Sequence, residues 1–113
     1  MTEKLLILFL IKHFLIDFVT QTEYQWKNKG TFLHPGGLLH SSLHGLGTYI
    51  ILLNTGIDPV SMGILDFGTH YTIDFCKTNL NKILNIGAES QIFWFLVGLD
   101  QLLHYLVYIY IIF

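Results

Sequence analysis

Hydrophobic residues along the chain fall into four long blocks separated by short polar stretches. The blocks run from about Lys4 to Thr22, Leu38 to Leu53, Pro59 to Lys77 and Ser90 to Phe113. Each is near the roughly 20 residues that an α-helix needs to cross a bilayer, the second being short. Runs such as FWFLVGL and LVYIYIIF lack the polar residue at every third or fourth position that marks the outer face of a soluble helix. An open sheet edge finds no hydrogen-bond partners in lipid, so helices are the natural elements. The pattern therefore predicts an all-α, four-helix transmembrane bundle occupying residues 1–113 as a single domain. Between the blocks, EYQWKNKGTFLHPGG carries a Pro-Gly-Gly break. NTGIDP reads as a compact turn with Pro59 at the first position of the third helix. KTNLNKILNIGAES is polar and Asn-rich, with room for an interfacial turn.

Composition strengthens this picture. Hydrophobic residues make up 52% of the 113 positions, charged residues 12%, and there is no Arg. A soluble domain of this size covers itself with about a quarter charged residues. The net charge of −2 and the absence of a basic stripe exclude a nucleic-acid partner. A lone cysteine, Cys76, rules out an internal disulfide and a Cys-rich zinc site. The apolar start, MTEKLLILFLIK, lacks a cationic head and a small-residue cleavage site, and reads as a retained membrane helix. Lys27, Lys29, Lys77 and Lys82 flank the first and third loops, whereas only Lys4 flanks the other side. The positive-inside rule then places both long loops in the cytoplasm of a bacterial inner membrane and both termini outside.

Polar residues inside the blocks follow one rule. His13 and Asp17, His40 and His44, Asp66 and His70, His70 and Asp74, and Asp100 and His104 are each four residues apart. That spacing puts both side chains on one helical face, and chance placement gives roughly one such pair. Only His34 and Asp58 fall outside the pattern, in predicted loops. Following the chain down and up through four spans puts the pairs in one layer toward the cytoplasmic side. An unpaired Asp near a helix centre costs roughly 2.5–3.5 kcal/mol on the insertion scale. Cations between the acids remove that cost. The predicted ligands are His13, Asp17, His40, His44, His70, Asp74, Asp100 and His104. Two divalent ions would neutralise four carboxylates, with zinc favoured and iron or manganese compatible. Gln21 and Gln101 stand beside ligands as candidates to orient them or to meet a substrate, and Lys12 is a candidate for an anionic substrate. Taken singly, such residues more commonly serve as interhelical hydrogen-bond partners, and Trp26, Trp94 and the C-terminal tyrosines as interface anchors.

The run HFLIDFVTQTEYQWKNK, followed by HSSLH, HYTIDFCK and LDQLLH, resembles a bacterial and phage membrane-protein family known as domain of unknown function 3307. The family pattern is H-x3-D-[FY]-x2-Q near the N-terminus, then a His-bearing second span, a His/Asp third span and D-Q-x2-H in the fourth. The resemblance covers nearly the whole chain. Lys12 directly before the first His, and the lack of Arg, are less typical of it. It implies a membrane location and a small bacterial or phage origin, and it implies no activity.

The leading expectation is an intramembrane, divalent-metal-dependent hydrolase acting on a membrane or membrane-proximal substrate. Asp66 or Asp74 would be the general base. A transporter or channel subunit for metal ions or protons, assembled from several copies, is the second. The third is a metal-stapled protein without catalysis that acts through a partner such as a host membrane protein.

Overall fold

A computed structural model describes residues 1–113. The chain is all-α. Helix α1 spans Thr2–Phe14 and passes directly into a π-helical turn at Leu15–Val19. A short helix α2 follows at Glu23–Lys27, then α3 at Pro35–Leu52, α4 at Pro59–Leu84 and α5 at Gln91–Ile112.

Local chemistry sets these limits. The Thr22 side chain caps α2 and the Ser90 side chain caps α5. His34 caps α3, its ring Nδ1 accepting from the Gly36 N–H at 3.0 Å, with Pro35 at the first helical position. Pro-Gly-Gly is thus the start of a helix and not the break expected from sequence. Asp58 caps α4 by accepting from the N–H groups of Val60 and Ser61. The Ser61 hydroxyl and these N–H groups hold the Asp58 carboxyl below its usual 3.8. At its far end α4 runs past Lys77 to Leu84, through a segment expected to be polar loop. It stops at Asn85, whose left-handed backbone (φ 51°) is the conformation that ends helices.

The four long helices close a ring: α1 packs on α3, α3 on α4, α4 on α5, and α5 on α1. Closest approach falls where α3 meets α4 at a pair of glycines. A Cβ on Gly45 would lie 2.8 Å from the Gly63 carbonyl oxygen, so only glycine lets the two backbones meet.

Burial is inverted relative to an ordinary soluble core. Thirteen polar or charged residues are buried against six hydrophobic ones. The apolar cluster is small: Phe9, Leu52, Tyr108 and Ile111. Phe14, Phe18, Ile64, Phe95, Leu102 and Tyr110 are among many large apolar side chains on the outside. By length and composition, α5 is the only helix that satisfies the requirements for a membrane span. The other three fall short for local reasons. Helix α1 gives way after 13 residues to the π turn, α3 is rich in Gly and His, and α4 carries Asp66, Asp74, Lys77 and Lys82.

Candidate metal centre

The π turn decides where Asp17 points. The Thr20 N–H donates to Leu15 O five residues back at 2.9 Å, and Gln21 Nε2 donates to Asp17 O at 2.6 Å. One extra residue in the turn shifts Asp17 round the helix relative to an α-helical register. Its carboxylate then faces the interior. Oδ1 lies 2.7 Å from His44 Nε2, 2.9 Å from His40 Nε2 and 3.7 Å from His70 Nε2. Oδ2 lies 3.1 Å from His13 Nε2.

Helices α3, α4 and α5 supply a column of rings. His44 stacks on His70 at 3.5 Å between centroids, and His70 on His104 at 3.9 Å, both within 20° of parallel. The donor atoms gather in two groups, each with all members within 4.8 Å of one another: Asp17, His40, His44 and His70, and then His70, Asp74 and His104. All of these residues are buried. His40 Nε2 lies 2.9 Å from Asp17 Oδ1 and Asp74 Oδ2 lies 3.2 Å from Lys29 Nζ, whereas both ring nitrogens of His70 lack a hydrogen-bond partner. Buried polar atoms are seldom left so. Four N and O donors at this separation can hold a metal ion, and the unpartnered His70 Nε2, 3.7 Å from Asp17 Oδ1, fits one.

Supporting contacts came from residues that spacing had not singled out. Gln25, buried on α2, places Oε1 3.2 Å from His40 Nδ1. It accepts that N–H and leaves the Nε2 lone pair facing Asp17 and His44. Residues 13, 17, 21 and 25 continue the four-residue spacing, the one signal in the sequence that reaches Gln25. Replacing Gln25 with Leu is expected to weaken divalent-ion affinity about 10–100-fold, the usual cost of losing a partner that orients a His ligand. Helix content should stay unchanged; competition with a chelator of known affinity, beside circular dichroism, measures both.

Not every expected ligand joins the donor groups. His13 is committed elsewhere: Nδ1 meets the Tyr108 hydroxyl at 2.8 Å and Nε2 meets Gln101 Oε1 at 2.6 Å. Asp100 is held by His104, Gln101 and Lys77 and lies outside both groups. Gln101 therefore bridges His13 and Asp100, while Gln21 touches the backbone of Asp17 and not its carboxylate. Asp66, expected as a general base, is taken by Lys12 Nζ and the Thr48 hydroxyl, each at 2.5 Å. Lys12 also donates to His44 O at 3.3 Å. It closes an internal ion pair and is not presented to a substrate, because Gly47 leaves room for its stem and the chain is 7% exposed.

Lysines change the charge balance that the sequence suggested. Lys12 pairs with Asp66, Lys29 with Asp74 at 3.2 Å and Lys77 with Asp100 at 3.6 Å. Of the four buried acids only Asp17 has no lysine partner, and it faces four imidazoles. The expectation of two ions assumed that carboxylates had no other counter-charge. With three already paired, Asp17 is the acid whose charge a cation has still to balance, although His70, Asp74 and His104 form a second donor group. Lys29 and Lys77 also line a polar cavity of about 580 Å³, together with Gln21, Trp26, Asn81 and Lys82. Three residues of its wall, Gln21, Lys29 and Lys77, are thus bonded directly to Asp17, Asp74 and Asp100.

These features define an all-helical protein with an inward-facing His/Asp centre able to hold a metal ion. The chain belongs to the family described as protein of unknown function (DUF3307), whose family model matches residues 5–113. Neither the curated proteins nor the solved structures contain a significant match.

Proposed function

We propose that the protein is an integral membrane protein of four spans that uses one divalent ion, held by Asp17, His40, His44 and His70, to hydrolyse a membrane or membrane-proximal substrate. The convergence of His40, His44 and the unpartnered His70 ring on the one buried acid without a lysine carries this reading. The membrane part is supported by the inverted burial. A polar interior inside a shell of Leu, Ile and Phe is unfavourable in water and favourable in lipid. Helix α5, at 22 residues, matches a hydrocarbon core of about 30 Å. Bound between these ligands, a divalent ion supplies Lewis acidity and lowers the pKa of a coordinated water toward about 7. Zinc suits the His/Asp set best, with iron or manganese compatible.

The chain's own residues provide the rest. Asp74 is the carboxylate we assign as proton acceptor at the edge of the centre: its Oδ2 lies 3.4 Å from His70 Nε2 and is paired at 3.2 Å with Lys29, a residue of the polar cavity's wall. His104 bridges Asp74 and Asp100 at 3.2 Å each and fixes both carboxylates. The cavity supports catalysis in that two of its wall residues, Gln21 and Lys29, touch Asp17 and Asp74. A second reading has one observation in its favour: four protein donors suffice to close a tetrahedral structural site. Elemental analysis of protein purified in neutral detergent, joined to X-ray absorption of the bound ion, tests both. About one ion per chain with an oxygen ligand from water supports the hydrolase. One ion with only Asp17, His40, His44 and His70 around it supports the structural role. Protein that takes up no divalent ion sinks the proposal.

A further inference from the structure

The polar cavity does not stand alone. Along the crossing of α4 and α5 runs an apolar groove of about 740 Å³, lined by Ile64, Leu65, Gly68, Leu106 and Val107. It shares Thr72, Ile73 and Leu103 with a second hollow of about 280 Å³, whose floor includes Cys76, Lys77 and Asp100. Lys77 in turn belongs to the wall of the polar cavity. Apolar groove, hollow and lysine-lined cavity therefore adjoin one another through shared wall residues, oily at one end and cationic at the other.

Charge says what fits the cationic end. Lys82 lines the cavity without an acidic partner, unlike Lys12, Lys29 and Lys77. Lys29 and Lys77 are each paired with a buried acid, so the exposed Lys82, with the charge that a divalent ion would add beside Asp17, gives this end its positive excess. A phosphomonoester carries about −1.5 to −2 near neutral pH and presents several acceptor oxygens. A carboxylate carries half that charge. The apolar end suits an alkyl chain: a Cβ added at Gly68 meets nothing within 4 Å, so the groove is open there. We propose that these adjoining hollows bind a phosphate-bearing lipid, its tail between α4 and α5 and its phosphate at Lys77 and Lys82. The proposal names the substrate class for the hydrolytic centre and rests on that reading for its membrane setting.

Cys76, the single cysteine, is exposed and sits in the hollow between groove and cavity. Its alkylation rate reports occupancy. Full-length protein in neutral detergent micelles, loaded with zinc, is titrated with dihexanoyl phosphatidic acid while N-ethylmaleimide labelling of Cys76 is followed. Saturable slowing of labelling is expected, with little effect from dihexanoylglycerol or from inorganic phosphate at the same concentrations. Lys82→Gln is expected to weaken protection roughly ten-fold, the cost of one charge-assisted contact. Gly68→Leu intrudes into the groove from a position where an added Cβ meets nothing within 4 Å, and should abolish protection while leaving the zinc content intact. Equal protection by inorganic phosphate, equal protection by dihexanoylglycerol, or an undiminished effect in Gly68→Leu would each overturn the proposal. Protection that survives in protein that takes up no divalent ion would leave lipid binding standing, while the missing ion by itself overturns the hydrolytic centre.

Discussion

Asp17→Asn is expected to abolish binding of the divalent ion: metal content falls from about one ion per chain to none. The substitution keeps the shape of the side chain and removes its charge. Asp17 is the one buried acid without a lysine, so its carboxylate is the only net negative group facing His40, His44 and His70. An amide there leaves three neutral imidazoles and no counter-charge, and the loss should exceed the 10–100-fold that removing an orienting partner costs. Asp100→Asn is the informative comparison. Asp100 lies on the same interior face, is equally buried and belongs to the same kind of four-residue pair, but Lys77 and His104 hold it. That variant is expected to retain the ion. Loss of metal in Asp100→Asn with retention in Asp17→Asn would show that the centre lies elsewhere. Mass spectrometry of intact protein under native conditions, with elemental analysis, distinguishes the outcomes.

The second large effect concerns stability. Lys12 and Asp66 are 7% and 1% exposed and bind each other, with Thr48 completing the set. Lys12 also lies 4.6 Å from the centroid of the Tyr108 ring, a cation–π distance. Removing one charge from a buried pair strands the other, so Lys12→Met is expected to destabilise the fold by about 3–5 kcal/mol. The double variant Lys12→Met with Asp66→Leu should recover most of that loss, because an apolar pair of similar volume leaves no stranded charge. Reversible unfolding in mixed micelles, for the two single variants and the double, gives the coupling directly. The double variant also isolates the role of Asp66. If Asp66 serves only Lys12, the folded double variant retains its metal and any hydrolytic turnover; loss of turnover with metal retained would restore Asp66 as a base.

The same residues show why some features were readable from the linear chain and others were not. Pro59 and the polar turn before it announced the start of α4, because capping chemistry is local. The four-residue spacing of His and Asp announced a common interior face, because helical periodicity is also local; every residue of those pairs is in fact buried. Membership of the DUF3307 family was legible for the same reason, since its motifs are short and ordered along the chain. The length of α4 was not. KTNLNKIL looks like a polar loop by composition, yet Asn79, which donates to Phe75 O within the helix, also donates to Gly30 O of the loop before α3, a contact that tertiary packing supplies.

What the sequence by itself determined is the all-α class and the set of acids and imidazoles that turn inward. Both follow from the positions of side chains along a helix, which the order of residues dictates. Only the tertiary structure decided how those groups divide their partners. The π turn swings Asp17 toward three histidines of α3 and α4, and Gly45 against Gly63 lets those helices close to the distance at which rings stack. Lys29 and Lys77, which read as loop charges that orient the chain, reach back to Asp74 and Asp100 and supply counter-charge that the linear chain did not show. Electrostatic pairing depends on distances of a few ångströms between different helices, set by their rotation and depth, and no spacing along one helix encodes that.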